Sequence, residues 1–595
     1  MCGIVFSARW TVAGEANNDQ EPSYKKAYEE LYEQLETANA ARGPDAQRRH
    51  ELSIDGAILR FFASELRLRG DAPVVQPHVH AERGDVLCWN GEIFEGLDVG
   101  LHENDGVRLF AAITALDDPL RLPELLGTFE GPYALVYYHH ASRKLFFARD
   151  PLGRRSLLMH SPSPENPYFI LASVTVGKHS GYELSELSTE CIHVLDLKDT
   201  VDAAGAFQSS LTTLPRVAQF ARVSSVNHML PSSDPESPRV QSLDVIPSFL
   251  SATVDNFIAH LDRSVSLRIR NIPQRSTASV ETASRHPARL AVLFSGGIDS
   301  TMIAFLAHRH VPLDEPIDLL NVAFENPRKI RIQVEGNVGG LSKKERKLKA
   351  RLAAFEDTIE GGNYDHDYLV PDRVTGLKEV EELRRICPGR QWNFVEIDVP
   401  YAESQEARPT VEAIMWPRHT VMDLSLAIAL YFASRAIGQV RSDPNAQPEP
   451  YTSPARVLLN GLGSDELLGG YGRHRTAYGY GGWQAVIDEL QLEIDRIPTR
   501  NLGRDDRVIS AHGKETRHPF LSLNVVNFVA ELPVQYKTDP RLEAGSGDKT
   551  LLRLAARKLG LVEASVRKKR AMQFGSHSAR MEAGVERGSG PQALS

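Results

Sequence analysis

The sequence predicts a two-domain protein, an α+β domain followed by an α/β domain. Short apolar or alternating segments dominate about the first 200 residues and indicate β-strands. The second half alternates strands with helices, which is typical of a parallel sheet with helices on both faces. Within that half, Leu290–Thr301 has the pattern of a buried strand, a Gly-rich turn and the start of a helix.

Composition limits the classes of protein to consider. The chain has 595 residues, enough for two to four domains, and its 68 Lys and Arg against 77 Asp and Glu give a net charge of −9. This balance argues against nucleic-acid binding. The four cysteines show neither metal-ligand spacing nor a disulfide framework. Without a bilayer-length apolar run or a signal-peptide pattern, the expectation is a cytoplasmic protein with no membrane partner.

The turn after the Leu290 strand is a candidate phosphate site. A strand that passes through a Gly-rich turn into a helix directs several backbone N–H groups at one point, and glycine lets the backbone approach closely. Asp299 fits such a site if it holds Mg²⁺ or braces the loop. The alternative is an ordinary strand–turn–helix connection. A Ser-Gly-Gly turn alone would favour that alternative, whereas a pyrophosphate-binding loop is indicated by the full set of Ser295, Gly296, Gly297, Asp299 and Ser300.

This segment resembles the PP-loop of the ATP pyrophosphatases, enzymes that cleave ATP to AMP and pyrophosphate. A second Gly-rich turn, Asn460-Gly-Leu-Gly-Ser-Asp-Glu466, follows the predicted strand Arg456–Leu459. Asp465 and Glu466 supply hard oxygen ligands of the kind that suit Mg²⁺. A structural turn at a polar helix start is the alternative. Two such turns on one parallel sheet favour a nucleotide site at the carboxyl ends of the strands.

The N-terminus contains a candidate nucleophile. If Met1 is removed, the thiol of Cys2 can attack while its own α-amine, with a pKa near ~7.7–8.0 in model peptides, accepts the proton. The alternative is that Cys2 is a small residue before a strand. Asn90 and the N–H of Gly91, where a strand ends, are candidate donors to an oxyanion. Glu92 and Asp105 are carboxylates suited to an α-ammonium group.

Together with the Arg42-Gly-Pro-Asp45 turn and the Arg149-Asp-Pro-Leu-Gly153 segment, these residues resemble the glutaminase domain of class II amidotransferases. The resemblance implies an Ntn-hydrolase-type sandwich of two antiparallel sheets between helices. It also implies that Cys2 forms a thioester with glutamine and that Arg42 binds the glutamine α-carboxylate. The family often has His-Glu-Arg-Leu after a strand, where this chain reads Ala63-Ser-Glu-Leu-Arg-Leu68.

The order of motifs along almost the whole chain resembles the glutamine-hydrolysing asparagine synthetases, including Glu515-Thr-Arg-His-Pro-Phe-Leu521. That resemblance implies that ATP and Mg²⁺ activate aspartate as β-aspartyl-AMP, and that ammonia from glutamine then displaces AMP. Asp299 and Asp465 are the implied metal ligands, and Lys569 steadies the phosphate charge. The remaining implied ATP contacts are Leu293, Ser295, Gly296, Gly297, Ser300, Val322 and Gly461.

One departure places the acceptor in question. Asparagine synthetases read Ser-Gly-Glu-Gly-Ser-Asp-Glu in the second turn, and this chain has Leu462 in place of the first Glu, with Asn460 in place of the Ser. Ser522 also replaces an Asp after Pro-Phe-Leu. Three hypotheses follow: an asparagine synthetase, an amidotransferase for another carboxylate, and a nucleotide-binding pseudoenzyme or scaffold.

The predicted domain organisation has three parts. A glutaminase domain covers residues 2–208, a Pro-rich linker covers 209–245, and an asparagine synthetase-like PP-loop domain covers 246–595. Within the last domain, inserts are expected near 327–362 and 442–454. The expected small-molecule partners are glutamine and aspartate, and a homodimer is one option for assembly.

Overall fold

The computed structural model describes residues 2–10, 23–54, 56–198, 205–217, 219–234, 238–273, 287–325, 365, 367–443 and 445–580. This part of the chain contains two six-stranded sheets and one seven-stranded sheet. The charged insert expected near 327–362 lies outside the described residues. Among the described residues, none of the helices combines the length and the apolar character that a membrane span requires.

Twelve strands form two antiparallel sheets in the first part of the chain. They are β1 (Gly3–Trp10), β2 (Ala46–Ile54), β3 (Ala57–Glu65), β4 (His78–Val79), β5 (Val86–Gly91), β6 (Tyr133–His139), β7 (Lys144–Arg149), β8 (Leu158–His160), β9 (Tyr168–Ala172), β10 (Ser185–Glu186), β11 (Cys191–Asp196) and β12 (Leu211–Pro215). The strand order is β10-β8-β9-β1-β3-β2 in one sheet and β12-β11-β7-β6-β5-β4 in the other.

The two N-terminal sheets pack face to face because alternate residues of their strands place apolar side chains in one shared core. Phe6 of β1 lies in one core with Val136 of β6 and Phe147 of β7. Helix Ser23–Ala40 packs on the outer face of the first sheet, and helices Asp105–Thr114 and Leu122–Leu126 cover the second. A further helix spans Gly205–Ser210. The described residues therefore form the predicted sandwich of two antiparallel sheets between helices.

The C-terminal sheet has the order β17-β16-β15-β14-β13-β18-β19. Its strands are β13 (Leu290–Leu293), β14 (Ile317–Phe324), β15 (Trp392–Val399), β16 (Ile437–Val440), β17 (Glu449–Thr452), β18 (Val457–Leu459) and β19 (Glu515–Arg517). Five neighbouring strands of this sheet are parallel: β15, β14, β13, β18 and β19. Strands β16 and β17 form an antiparallel edge.

Helices cover both faces of this sheet, as the alternation of elements predicts. Val292 points into one apolar core and its neighbour Leu293 into the other. The helices are Ser248–Ile269, Ile298–His308, Pro371–Ile386, Tyr401–Met415, Val421–Arg435, Ser464–Leu468, Gly472–Arg496, Leu502–Ser510, Leu523–Glu531, Val534–Lys537, Thr550–Lys558, Val562–Ser565 and Met572–Gly575. The carboxyl ends of β13 and β18 lie side by side.

The structure differs from one predicted boundary and shows a strand inside one predicted insert. Strand β12 lies inside the predicted linker 209–245, yet it pairs with β11, so the N-terminal sheets extend to Pro215 rather than to 208. The predicted loop insert 442–454 contains β17, which pairs with β16, and the Tyr451 hydroxyl donates to the buried Asp318 carboxylate. Both strands are short edge strands, which carry little apolar periodicity for a sequence pattern to reveal.

Two candidate active sites

The first candidate site surrounds Cys2, immediately before β1. The backbone N–H of Cys2 donates to Asn90 Oδ1 at 3.0 Å, and the Gln76 side-chain amide donates to Cys2 Sγ at 3.5 Å. The residue is 6 % exposed, and burial raises the pKa of its thiol to about 11. The thiol is therefore protonated near neutral pH, so attack on a substrate requires a nearby base.

Asn90 and Gly91 end β5 beside this thiol, as the sequence predicts. Within the described part of the chain, the Asn90 Nδ2 atom is buried without a hydrogen-bond partner. A buried donor of this kind is costly unless a ligand uses it. At Gly91, a Cβ atom would lie 2.6 Å from the Trp89 ring and 2.7 Å from the Pro132 carbonyl oxygen, so close packing requires glycine.

Glu92 and Asp105 lie together around Arg69, and their role at an α-ammonium group stays a prediction. The N–H of Ile93 donates to Asp105 Oδ2 at 2.9 Å, and Arg69 Nε donates to Glu92 Oε2 at 2.7 Å. Arg69 Nε also lies 3.9 Å from Asp105 Oδ2. Burial, followed by the charge of Glu92, raises the pKa of Asp105 to about 7. The Asp105 carboxylate therefore gains or loses its charge at a pH near 7.

The structure places Arg42 behind Cys2, at the contact between the two domains. Its guanidinium is completely buried, donates to Asp506 Oδ2 at 2.8 Å and donates through Nε to the Cys2 carbonyl at 3.3 Å. Within the described residues the Arg42 Nη1 atom is buried without a hydrogen-bond partner, so its contact with the glutamine α-carboxylate stays a prediction. Arg69 is the arginine that stands beside Glu92 and Asp105. In the sequence, Arg69 directly follows the segment Ala63–Leu68, which stands where the family often has His-Glu-Arg-Leu, and no other sequence pattern indicated its role.

The second candidate site begins where β13 ends. Gly296 has a φ of +72°, and a Cβ atom there would lie 2.4 Å from the Gly376 nitrogen, so the turn needs glycine for both reasons. Gly297 caps helix Ile298–His308. The hydroxyls of Ser300 and Thr301 donate to the Gly297 carbonyl at 3.1 and 2.9 Å. Ser295 precedes the turn, and its Oγ accepts from the Gly297 N–H at 3.4 Å.

The two Gly-rich turns meet, as the sequence predicts. A Cβ atom at Gly461 would lie 2.8 Å from the Asp299 Cβ, so the turn after β18 packs directly on the first turn of the helix after β13. Leu293 ends β13, and Val322 lies near the carboxyl end of the neighbouring β14. Leu293, Val322 and Gly461, which the asparagine synthetase resemblance places at adenosine, therefore lie at or near the carboxyl ends of three adjacent parallel strands.

A buried lysine joins the acidic residues of both turns. Lys549 Nζ lies 2.7 Å from Asp299 Oδ2 and 2.7 Å from Asp465 Oδ1, and it donates to Ser464 Oγ at 3.0 Å. Lys569 also donates to Asp465. Burial alone would raise the pKa of Asp465, but the two lysine charges outweigh it and hold that pKa well below its ordinary value. Sequence reasoning missed Lys549, which lies in a Gly- and Lys-containing turn without a distinctive pattern.

The expected metal ligands remain a prediction. Among the described residues, no group of three or more His, Cys, Asp or Glu side chains is arranged to hold a metal ion. Asp299 and Asp465 nevertheless fit the donor set that Mg²⁺ commonly uses, which is one or two carboxylates together with substrate phosphates. Both carboxylates are paired with Lys549.

Leu462 occupies the position at which asparagine synthetases have the first Glu of the second Gly-rich turn. Leu462 is half-buried and its N–H donates to Asn460 Oδ1 at 3.0 Å. Together with Leu502, Leu521 and other residues, it lines a small cavity that Glu466 and Arg500 also reach. Burial, followed by the charge of Asp465, raises the pKa of Glu466.

Comparison with known proteins agrees with this architecture. The fold and the second site define a chain that carries an asparagine synthase domain, and the model of that family matches residues 274–354 and 478–587. The chain belongs to the family of asparagine synthetase domain-containing protein 1. It is 35% identical over 605 residues to that protein from Gallus gallus, covering 92% of this chain and 94% of the relative. The relative from Homo sapiens is 35% identical over 636 residues, covering 98% and 96%.

Among solved structures, a glutamine phosphoribosylpyrophosphate amidotransferase from B. subtilis, complexed with ADP and GMP, matches 58% of this chain and 70% of its own. The sequence identity is 13% and the TM-score is 0.25. These values are too low for a conclusion about fold or function.

Proposed function

We propose that this protein is a glutamine-dependent amidotransferase of the asparagine synthetase type. It hydrolyses glutamine at Cys2, and it uses ATP, which becomes AMP and pyrophosphate, to convert aspartate to asparagine. The observation that carries the proposal is the buried Asn90 Nδ2 donor beside the Cys2 thiol, in a chain whose second domain pairs two Gly-rich strand ends.

The glutaminase step requires a base because the pKa of Cys2 is about 11. Removal of Met1 converts the Cys2 amide nitrogen into an α-amine held 3.0 Å from Asn90 Oδ1. This amine accepts the thiol proton while sulfur bonds to the glutamine carboxamide carbon. Asn90 Nδ2 and the Gly91 N–H stabilise the oxyanion. Ammonia leaves with the transferred proton, and water then releases glutamate from the thioester.

Charged side chains orient the glutamine. Arg69 binds the α-carboxylate, and Glu92 and Asp105 bind the α-ammonium. Both carboxylates lie within 4 Å of the arginine, since Arg69 Nε is 2.7 Å from Glu92 Oε2 and 3.9 Å from Asp105 Oδ2. A zwitterionic amino acid fits such a mixed set, because each of its two charges meets an opposite charge.

The nucleotide step uses the strand ends of the C-terminal sheet. The turn Ser295–Gly297 and the helix N-terminus after it bind pyrophosphate oxygens through backbone N–H groups. Lys549 and Lys569 balance the phosphate charge. Asp299 and Asp465 are the residues that would hold Mg²⁺, which would add further neutralisation of that charge. An acceptor carboxylate attacks the α-phosphorus and releases pyrophosphate, and ammonia then displaces AMP from the acyl carbon.

The acceptor has a second candidate, a carboxylate other than aspartate. Leu462 supports it, because the half-buried Leu462 side chain lines a small cavity at the position where asparagine synthetases have a carboxylate. A leucine cannot handle the proton of the attacking ammonia. Glu466 and Arg500, which reach the same cavity, are the nearby charged groups that remain for an acceptor.

Mass spectrometry of the reaction products tests both candidates. Purified protein is given glutamine labelled with ¹⁵N at its amide, together with aspartate, ATP and Mg²⁺. Labelled asparagine and AMP support the first candidate. Glutamate release without asparagine rejects it, and a screen of other carboxylates for an ATP-dependent gain of ¹⁵N then tests the second.

A further inference from the structure

We infer that Arg517 is a positioning residue through which the nucleotide site and the glutamine pocket influence each other. The inference rests on the proposed function. Arg517 ends β19, and it is 3 % exposed. It lies between Glu92 in the N-terminal domain and Asn460 at the start of the second Gly-rich turn. No motif in the sequence links these positions.

The side chain of Arg517 reaches the glutamine pocket. Its Nη2 atom lies 3.3 Å from Glu92 Oε1, whereas Arg69 Nε donates to the other oxygen, Glu92 Oε2, at 2.7 Å. The Glu92 carboxylate is thus held between one arginine of its own domain and one arginine of the C-terminal domain. A shift of either arginine changes where the carboxylate points and how strongly it binds an α-ammonium.

The backbone of Arg517 reaches the nucleotide site. Its carbonyl accepts from the Asn460 N–H at 3.0 Å, and its Cα pairs with Leu459 in the parallel register of β18 and β19. Asn460 Oδ1 in turn accepts from the Leu462 N–H at 3.0 Å, which shapes the turn that leads to Asp465. Displacement of this turn by a bound nucleotide therefore acts on the strand end that carries the Arg517 side chain.

The guanidinium is also fixed by its surroundings, so it transmits a displacement rather than absorbing it. Its Nε donates to Glu515 Oε1 at 2.6 Å, and its Nη1 donates to the Arg268 carbonyl. The carbon of the guanidinium lies 5.4 Å from the centre of the Phe94 ring, two residues from Glu92. A buried ion pair in such a setting has defined geometry, since its charges cannot be satisfied by water.

Coupling of this kind is reciprocal. If ATP changes the affinity for glutamine by some factor, glutamine must change the affinity for ATP by the same factor. Typical couplings between two sites amount to about 5- to 150-fold. Removal of the Arg517 charge leaves the backbone hydrogen bond to Asn460 in place and cuts the link at Glu92, so both factors fall towards 1.

Binding measurements on the full chain with Cys2→Ala test this without turnover. Titration calorimetry gives the Kd of L-glutamine with and without saturating ATP and Mg²⁺, and the Kd of ATP with and without L-glutamine. The two ratios are expected to be equal and about fivefold or more. Adding Arg517→Gln is expected to bring both towards 1, while Arg517→Lys retains part of the effect.

Arg154→Lys is the control, because Arg154 is another buried arginine at the domain contact: it pairs with Glu130 and Asp150 and crosses the contact through the Leu521 carbonyl, at 2.9 Å, rather than through Glu92. It is expected to keep the ratio, and thermal unfolding checks that each variant is folded. A ratio of 1 in the parent, or an unchanged ratio in Arg517→Gln, overturns the inference alone. If glutamine does not bind at all, both the Arg517 inference and the proposed function are overturned. If glutamine binds but no asparagine forms, only the proposed function is rejected.

Discussion

Arg42 donates to Asp506 Oδ2 at 2.8 Å with both side chains completely buried, although the residues are 464 positions apart. Asp506 lies on helix Leu502–Ser510 of the C-terminal domain, and Arg42 holds the Cys2 carbonyl. The N–H of Ser156 also donates to Asp506, at 3.1 Å. A carboxylate of the C-terminal domain is therefore part of the support of the candidate nucleophile.

Asp506→Ala is expected to destabilise the protein by about 3–5 kcal/mol, because it leaves the buried Arg42 charge without its partner. It is also expected to lower the rate of glutamate release by displacing Cys2. The midpoint of urea unfolding and a glutaminase assay measure the two effects. Asp244→Ala is the control, since the 70% exposed Asp244 side chain pairs with Arg557 at the surface and its loss costs about 0–1 kcal/mol. Equal midpoints for the two variants would contradict the prediction.

Cys2→Ala is expected to abolish glutamine-dependent product formation and to spare any reaction driven by added ammonium, because the thiol lies in the N-terminal sandwich and the nucleotide turns lie in the other domain. Glutamate release and AMP formation are measured separately with each nitrogen source. Cys88→Ala is a suitable control, since Cys88 is a buried thiol in the sandwich core. Loss of the ammonium-driven reaction in Cys2→Ala would refute the separation of the two sites.

Much of the fold could be predicted because apolar spacing is a local signal. The strands β13, β14 and β15 are buried along nearly their whole length, so each appears in the sequence as a short, mostly apolar run between helical segments. The edge strands β12 and β17 escaped prediction, because an edge strand buries few side chains. The Tyr451–Asp318 hydrogen bond that anchors β17 joins residues 133 positions apart.

The residues of the candidate sites also fall into two groups, those that a local sequence pattern predicts and those that depend on a distant partner. Asn90, Gly91, Gly296 and Gly461 were predictable, because close backbone approach demands a particular small or amide side chain at a strand end. The partner of Arg42 was not, since an Arg-Gly-Pro-Asp turn has the same sequence whether its guanidinium faces a ligand or another domain. Lys549 was missed for a related reason. A single lysine in a polar turn has no local pattern, and only its contacts with the distant Asp299 and Asp465 indicate its role.

Lys549→Gln is expected to reduce ATP-dependent AMP formation by about 10²–10³-fold, the usual cost of removing one preorganised charge donor, and to leave glutamate release unchanged. The loss also leaves Asp299 without the cation that lies 2.7 Å from it. Lys537→Gln is the matched control, because Lys537 is equally buried and its amino group donates to the Ala530 carbonyl at 3.4 Å. Similar AMP formation by both variants would remove Lys549 from the proposed site.

Glutamine binding is expected to weaken as the pH falls below about 7, because burial and then the charge of Glu92 raise the pKa of Asp105 to about 7. Above that pH the Asp105 carboxylate is charged and attracts the α-ammonium of glutamine. Below it the group takes up a proton, and the Kd is expected to rise by up to about tenfold per pH unit, the limit for a single titrating group. Calorimetry on Cys2→Ala from pH 5 to pH 8 separates this effect from the proton transfers of catalysis. Asp105→Asn is expected to bind weakly at every pH, and a Kd in the parent that stays constant down to pH 5 would show that Asp105 does not bind the ammonium.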